Sequence, residues 1–488
     1  TNVNSTSFGL LRFLSTDGKV DGQPLYLSHL SIGGVSHNVV YATTEAGSVY
    51  AFDANSGTQL WKTSLIPSGE SASGPQNCDE ITPTIGITST PVINRAAGAH
   101  GTMYVVAMTL ASDGVTYHQR LHALDVTTGA ELLGGPTDIT ASYPASSGSI
   151  TFDPQQYVSK TGLLLLNGTV YIAWTSHCDH QFYTGWIMGY SATTLKQTTV
   201  LNVAPNSGGL GPSIWMAGGG LAADSSGNIY LMTANGVFDA ALNSSGFPSQ
   251  GDYGNSILKL STSSGLSVSD YFTPYNTAML SSNDLDLGSG GLVLLPDMTD
   301  AGGTTRHLAV GAGKDGNIYV VNRDSLGKFS STSNGAIYQQ ITGALGNLGT
   351  NPTAGNGGMW GTPAYYNNHV YFCPKGGQVN SYSVSSAKLS TTPGSFTSAA
   401  FPYPGCSPSV SASGTSNGIL WAYMSTNPAV LYAYDASNMA TLLYNSNQAG
   451  SRDQWGTSNN NKWMVPTVAD GQVFVGSTNG VAVFGLLN

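Results

Sequence analysis

The chain has 488 residues, of which only 9% are charged, and its 16 basic and 26 acidic residues give a formal net charge of −10. Because an acidic chain without a basic run is repelled by a phosphate backbone, we expect no nucleic-acid partner. Apolar residues reach 40%, enough for a large core, but no run approaches the roughly 18 apolar residues that a membrane helix needs.

A five-residue apolar segment that ends near a turn recurs eight times along the chain. Short runs of Val, Ile, Leu and Tyr between Gly, Asn, Asp and Ser are typical of strands, and no long segment of helical period competes with them. The copies are VYAFD from Val49, LHALD from Leu121, IMGYS from Ile187, ILKLS from Ile257, IYVVN from Ile318, VNSYS from Val379, LYAYD from Leu431 and VAVFG from Val481.

Two further apolar runs precede each copy, so each unit contains at least three strands, A, B and C. A fourth strand, D, is predicted after the turn that follows strand C, most clearly over 58–61 and 130–133. The A runs begin at Pro24, Pro91, Leu164, Leu221, Val293, Pro363, Ser409 and Pro466, and the B runs at Val39, Met103, Val170, Ile229, Leu308, Val370, Leu420 and Val473.

Four-stranded antiparallel sheets that repeat radially form a β-propeller, which protects its strand edges by closing into a ring. Eight units therefore predict an all-β, eight-bladed propeller that spans residues 1–488 as a single domain. The last unit ends without a fourth strand, whereas 8–14 precedes the first unit and has no partner there. We expect 8–14 to close the ring as the outer strand of the last blade, which is formed by 463–488.

Four cysteines without a CxxC pair predict two disulfides and argue against zinc-ribbon and thioredoxin sites. From the turns and connectors that should be neighbours, we expect Cys78 to pair with Cys178 and Cys373 with Cys406. The start of the chain, rich in Ser, Thr and Asn, is typical of a processed end, and we expect an extracellular or periplasmic protein. Three N-x-S/T sequons, compatible with glycosylation, lie at Asn4, Asn167 and Asn243.

The first blade, VVYATTEAGSVYAFDANSGTQLWKT, resembles the repeat of the quinoprotein dehydrogenases, the PQQ-like propeller family. The resemblance implies that Gly57 shapes the turn between strands C and D and that Trp61 docks one blade on the next. It also implies an oxidoreductase that acts on an alcohol or a sugar, with PQQ and calcium as cofactors. The eight-bladed alcohol dehydrogenases of this family hold PQQ between a tryptophan and a disulfide of adjacent cysteines, and this chain has no adjacent cysteines.

In a propeller the B-to-C turns and the D-to-A connectors emerge on one face around the axis, and this funnel is the usual ligand site. The densest group of reactive side chains there is SHCDH, over 176–180, in blade three. We take His177, Asp179 and His180 as candidate acid–base residues, with a metal site or a hydrogen-bonded loop as alternatives. Arg452 is a candidate for neutralising the carboxylate of a uronate or another anionic ligand.

Other funnel residues suit a cofactor. Indole faces stack on sugar rings or planar cofactors, lysines bind anionic groups such as a quinone carboxylate, and paired carboxylates suit calcium or, alternatively, form an ordinary turn. The candidate cofactor-binding residues are Trp215, Trp360, Lys314 and Lys375, and the candidate calcium ligands are Asp284 and Asp286.

Three function classes remain open at this point. The first is an oxidoreductase of the quinoprotein type, and the second is a non-catalytic propeller that binds a glycan or a protein at the funnel. The third is a polysaccharide-cleaving enzyme of the lyase type. A GxSxG hydrolase elbow and a P-loop are absent from the sequence.

Overall fold

The structure is a computed structural model that describes residues 2–180, 182–346, 355–456 and 461–487. Within these residues the chain forms the eight antiparallel blades that the repeats predict, each with four strands in the order A-B-C-D. The strands of blades one to four are Leu25–Ile32, Val35–Thr43, Ser48–Asp53 and Gln59–Ser64; Val92–Asn94, Thr102–Leu110, Tyr117–Asp125 and Thr137–Asp138; Leu164–Leu166, Thr169–Ala173, Trp186–Ser191 and Gln197–Asn202; and Ala222–Ala223, Ile229–Met232, Ile257–Ser261 and Ser267–Thr273.

Blades five to eight repeat the same order. Their strands are Leu292–Leu294, Leu308–Ala312, Ile318–Asn322 and Gln339–Ile341; Ala364–Tyr366, His369–Phe372, Gly377–Ser385 and Ser395–Phe401; Ser409–Ser413, Ser416–Met424, Val430–Asp435 and Leu442–Asn445; and Thr467–Ala469, Gln472–Ser477, Gly480–Leu486 and Phe8–Ser15.

Short elements decorate the blades. The α-helix Thr277–Ser282 and the 3-10 turns Leu287–Ser289 and Gly450–Asp453 lie in D-to-A connectors, and in the described part of the chain no helix has the length and apolarity needed to cross a membrane. The remaining short strands are Ser71–Ala72, Ser142–Ala145, Gly148–Thr151, Tyr157–Val158, Thr175–Ser176, Met298–Thr299, Thr305–Arg306, Lys328–Phe329 and Lys388–Leu389.

The core lies between neighbouring blades, because strands B and C are buried on both faces. Val49 and Ala51 of blade one, for example, have no exposed surface. Tyrosines of the B strands also join blades, since the Tyr41 hydroxyl donates to the carbonyl of Val126 in blade two at 2.9 Å. The indole of Trp61 donates to the same carbonyl at 3.1 Å, which is the docking that the family resemblance implies.

The outer strand of blade two lies further along the chain than predicted. Instead of 130–133, the residues that pair with strand C are Thr137–Asp138, and Glu131 makes only a single bridge. Here the Glu131 carboxylate, instead of a strand D carbonyl, accepts the hydrogen bond of the Ala123 backbone at 2.9 Å, and it contacts His122 at 2.8 Å. Leu132 still donates to the Ala123 carbonyl at 2.7 Å, and 133–136 form the turn that leads to Thr137–Asp138.

The N-terminal strand closes the ring, as predicted. Phe8–Ser15 pairs antiparallel with Gly480–Leu486, from Phe8 opposite Leu486 to Ser15 opposite Gly480. The buried carboxylate of Asp453 fastens it, since it accepts from the backbone of Leu10 at 3.0 Å and from the hydroxyl of Tyr444 at 2.8 Å. Arg452 lies 2.6 Å from Asp453 and donates to the Phe8 carbonyl, so it belongs to this closure.

We expect Asp453→Ala to lower the free energy of unfolding by about 3 kcal/mol, because it leaves the Arg452 guanidinium and the Tyr444 hydroxyl without their buried acceptor. Asp470→Ala is the control, because this exposed carboxylate also joins blade eight to blade one through Tyr26 and Asn38. It should cost less than about 1 kcal/mol. Urea denaturation of both variants measures the difference. Equal losses of unfolding free energy would contradict a special role for Asp453 in closing the ring.

Candidate functional site

The funnel face holds a cavity of about 470 Å³. Each lining residue comes from a B-to-C turn or a D-to-A connector, the segments that the predicted propeller assigns to this face. Seven of the candidate site residues from the sequence meet here with six others. The lining consists of Glu80, Cys178, Asp179, Trp215, Ala217, Asp284, Asp286, Ser289, Lys314, Trp360, Lys375, Tyr403 and Trp463; Asp179, Trp215, Trp360, Lys314, Lys375, Asp284 and Asp286 were singled out above, and Cys178 as a disulfide partner.

An ion cluster forms one wall of this cavity. The ammonium group of Lys314 lies 2.9 Å from both carboxylate oxygens of Asp284 and 2.5 Å from Asp286. The Asp286 carboxylate also accepts a hydrogen bond from the backbone of Asn235 at 2.7 Å, and the Asn235 amide donates to Asp284 at 3.0 Å. The cluster is therefore held by one D-to-A connector and by the B-to-C turns of blades four and five.

Two of the carboxyl groups at this wall, Asp284 and Asp179, have raised pKa values. Burial and the nearby Asp286 carboxylate raise the pKa of Asp284 to about 6, against the opposing charge of Lys314. Burial and the same Asp286 carboxylate also raise the pKa of Asp179. The pKa of Lys314 is raised by its two carboxylate partners although burial opposes it. A carboxyl group that titrates near pH 6 suits general-base catalysis in this range.

Calcium does not fit this arrangement. The Lys314 ammonium lies between Asp284 and Asp286, where a cation bound by these two carboxylates would have to lie. Among the described residues no group of three or more His, Cys, Asp and Glu side chains is arranged to hold a metal ion. The two aspartates thus meet in the predicted place, but a lysine is their counter-ion.

Aromatic rings form much of the remaining lining. Trp360 and Tyr403 contact edge to face with ring centroids 5.9 Å apart, and the Lys375 ammonium lies 5.5 Å from the Trp360 ring. Trp215 and Trp463 line the cavity as well. Flat rings beside lysines are a suitable environment for a planar ligand or a sugar ring that carries oxygen substituents.

A second ion pair lies on the other side of the cavity. Lys462 lies 3.0 Å from the Glu80 carboxylate, and the Tyr403 hydroxyl donates to the same group at 3.2 Å. Although burial opposes it, the charges of Lys160 and Lys462 lower the pKa of Glu80. Glu80 is therefore held ionised, in contrast to Asp284.

Both predicted disulfides are present, Cys78–Cys178 and Cys373–Cys406. Cys178 lines the main cavity, so a disulfide borders the same space as Trp215 and Trp360. The two cysteines of this disulfide are 100 residues apart in the sequence.

The remaining acid–base candidates lie elsewhere. His177 is buried beside Cys78 in a separate small space, and burial lowers the pKa of its imidazole to about 4. His180 is exposed and is not among the residues that line the cavity. Arg452 is bound at the ring closure described above, so of the four candidates for acid–base or ligand contact only Asp179 reaches the cavity.

The sequons occupy turns and loop positions, where Asn167 and Asn243 are exposed and Asn4 is half-buried. Their glycosylation stays a prediction. The two disulfides are compatible with an oxidising compartment.

Sequence reasoning missed three charged residues near the axis, which are Asp21, Lys160 and Lys462. Lys160 precedes strand A of blade three, and Asp21 precedes strand A of blade one. The available signal is positional. In a chain with so few charges, a charged residue a few positions before an A strand lies near the propeller axis.

Glu45 is fully buried, and burial followed by the nearby Asp21 carboxylate raises its pKa to about 8. Its Oε2 accepts from the backbone of Gly86 at 2.9 Å, while Oε1 of Glu45 and Oδ1 of Asp21 have no donor among the described residues. A proton on Glu45 that is shared with Asp21 satisfies both oxygens. The folded state therefore keeps a proton that an unfolded glutamate loses near pH 4.5.

We expect Glu45→Gln to stabilise the protein increasingly as the pH rises. A raised folded pKa contributes stability at low pH that is lost as the pH rises toward 8, by at most roughly 1.4 kcal/mol per pH unit, and glutamine avoids this loss. Urea unfolding between pH 5 and pH 8 measures the difference. Glu70→Gln is the control, because the Arg120 hydrogen bonds lower the pKa of Glu70, so its loss should destabilise the protein by the same amount throughout this pH range. A pH-independent effect of Glu45→Gln would contradict the shared proton.

Comparison with known proteins supports the fold. No family model matches the chain, and no curated protein matches it in sequence. Among solved structures, the quinohemoprotein alcohol dehydrogenase of Comamonas testosteroni is 14% identical with a TM-score of 0.60, over 99% of this chain and 77% of that chain. A second quinohemoprotein alcohol dehydrogenase, ADHIIG of Pseudomonas putida, is 15% identical with a TM-score of 0.60 and the same coverage. A europium-containing methanol dehydrogenase is 13% identical with a TM-score of 0.58, over 99% of this chain and 95% of that chain. These likenesses show a quinoprotein-like propeller fold.

Proposed function

We propose that this protein is a secreted oxidoreductase of the quinoprotein type, which binds a planar quinone cofactor in the funnel cavity and oxidises a hydroxyl group of an alcohol or a sugar. The proposal rests on the set of residues that line one cavity. It combines the indoles of Trp215 and Trp360, a disulfide that reaches it through Cys178, and an aspartate–lysine cluster. The fold of the solved neighbours, which are alcohol dehydrogenases by name, is consistent with it.

The lining fits a quinone in size and character. A volume of about 470 Å³ lies within the range of cofactor pockets, and the flat rings and the disulfide supply apolar faces. Lys314 and Lys375 are placed to bind carboxylate or carbonyl oxygens of such a group, which accepts the hydride that leaves the alcohol carbon. Calcium is not part of the proposal, because Lys314 is the cation at the aspartates.

In this proposal Asp284 is the general base. Its pKa of about 6 allows it to accept the hydroxyl proton of a bound alcohol near neutral pH. Asn235 and Lys314 hold its carboxylate in place, and the ammonium group of Lys314 stabilises the negative charge that develops on the substrate oxygen.

The proposal predicts a pH profile and a mutant effect. Because the base must be ionised to accept a proton, the rate of dye reduction with PQQ and a panel of alcohols and sugars should increase as the pH rises through about 6. Asp284→Asn should lower the rate by roughly 10² to 10⁴-fold. Asp297→Asn, at an exposed carboxylate, should leave the rate unchanged.

The direct test is a titration of the purified protein with PQQ, with and without calcium, followed by absorbance and by dye reduction. Saturable quinone binding that does not need calcium supports the proposal. Absence of binding, or of reduction with each substrate of the panel, overturns it.

A second candidate is non-catalytic glycan binding at the same cavity. It is favoured by the four aromatic residues, because stacking on sugar rings needs such faces and no cofactor. Glycan-array binding that survives Asp284→Asn and is lost in Trp360→Ala, together with no quinone binding, would support this alternative.

A further inference from the structure

A second cavity of about 230 Å³ lies close to the propeller axis, and we call it the axial chamber. Its walls come from residues beside the A strands of blades one to four and from the connector into blade eight. Trp463 lines both the axial chamber and the main cavity, so the two spaces are neighbours. The proposed function makes no use of the axial chamber.

The most unusual group of its wall is Lys160. The side chain is only 8% exposed, and among the described residues its ammonium nitrogen has no hydrogen-bond partner. The nitrogen lies 3.0 Å from the ring centroid of Trp463 and 4.9 Å from that of Trp215. Contact with two rings replaces only part of the hydration that a buried ammonium loses.

The other charges of the chamber are already compensated. Lys19 lies 2.9 Å from Asp21, and Lys462 lies 3.0 Å from Glu80. Glu45, behind Asp21, holds a proton at neutral pH for the reason given above. The charge that remains is the positive charge of Lys160, so the chamber is electrostatically suited to one negative charge.

The wall of the axial chamber contains a second hydrogen-bond donor that lacks an acceptor. The indole nitrogen of Trp463 is buried and has no hydrogen-bond partner in the part of the chain that the structure describes. A buried ammonium and a buried N–H that both lack acceptors call for an oxygen-bearing ligand.

We propose that the axial chamber is a binding site for a small organic monocarboxylate, with Lys160 as the residue that binds its carboxylate group. The rest of the lining supports an organic acid over an inorganic ion, because Ile81, Leu163 and Val465 supply apolar surface. At about 30 Å³ for each water-sized group, the chamber holds a molecule of roughly five to eight heavy atoms.

The protonation of Lys160 agrees with this assignment. Burial lowers the pKa of its ammonium to about 7, with Glu80 and Asp21 opposing the shift and Lys462 and Lys19 adding to it. A bound carboxylate supplies the missing counter-ion and restores the pKa toward its ordinary value. Since the chamber is distinct from the aspartate cluster, the proposal does not rest on the quinone.

The test is titration of the cofactor-free full-length protein with sodium propionate at constant ionic strength and pH 6.5. Calorimetry and indole fluorescence report binding, the latter because two indoles contact Lys160. We expect saturable binding that weakens at least tenfold in Lys160→Met. Lys259→Met is the matched control, because this lysine also lies against an aromatic ring, that of Tyr230, and does not line the chamber. This variant should bind propionate as the unchanged protein does.

The variants also separate binding from folding. Lys160→Met should melt at a higher temperature than the unchanged protein without propionate, because methionine fills the space without an unpaired charge, and propionate should raise only the melting temperature of the unchanged protein. If Lys160→Met does not fold, Lys160→Gln replaces it in the same titration. Equal propionate binding by the Lys160 variant, no propionate binding by the unchanged protein, or equally tight binding of chloride would each overturn the proposal.

Discussion

Replacing Cys78 and Cys178 by alanine is expected to lower the free energy of unfolding by about 4.7 kcal/mol, because this disulfide closes a loop of 100 residues in the unfolded chain. The second disulfide closes a loop of 33 residues, and its removal should cost about 3.7 kcal/mol by the same loop-entropy relation. Urea unfolding without reductant measures both losses, and the second pair serves as the matched control.

The first disulfide should also affect the cavity, because Cys178 lines it and Cys373 and Cys406 do not. Cys78→Ala with Cys178→Ala should therefore weaken PQQ binding, whereas Cys373→Ala with Cys406→Ala should leave it within about threefold at a temperature where both variants are folded. An equal effect of the two pairs on PQQ binding would show that the disulfide at the cavity acts only through stability.

The blades could be predicted because their information is local. Each strand C is a short apolar run bounded by turn residues, and eight copies at similar spacing have few alternatives to a closed ring. The closing strand followed from counting, since Phe8–Ser15 was left over and the last blade was one strand short. The outer strand of blade two was predicted at the wrong residues, because the Glu131 side chain takes a backbone hydrogen bond of strand C and no local pattern indicates this.

For the candidate site, the sequence could predict only which residues lie on the funnel face, because the propeller fold places the B-to-C turns and the D-to-A connectors there. That rule brought Trp215, Trp360 and Lys314 to one cavity, although the sequence shows no motif that joins them. It could not tell that Arg452 turns outward to the ring closure, because connector residues reach either the axis or the rim. It also could not tell that a lysine would be the counter-ion of the aspartates, since this depends on side-chain reach across blades.

Because Lys314 is the counter-ion of the aspartates, its replacement is expected to have a second large effect. Lys314→Met is expected to turn the aspartate cluster into a site for calcium or a lanthanide ion, because it removes the ammonium and leaves Asp284, Asp286 and the neighbouring Asp179 without compensation. Without metal, the variant should lose about 3 kcal/mol of stability. A metal at 100 times its dissociation constant should restore about 2.7 kcal/mol.

Terbium luminescence provides the measurement, because the indoles of Trp215 and Trp360 line the cavity and can transfer excitation energy to a bound ion. Lys375→Met is the control, since this lysine lines the same cavity, whereas the ammonium group between Asp284 and Asp286 is that of Lys314. We expect terbium and calcium to bind Lys314→Met at least tenfold more tightly than either the unchanged protein or Lys375→Met.

Removal of the ammonium also removes the charge that lowers the pKa of Asp284, so in the metal-free variant the rise of activity with pH should shift to higher pH. Tight calcium binding by the unchanged protein would mean that Lys314 gives way to the ion, and the proposed base would then act beside a metal.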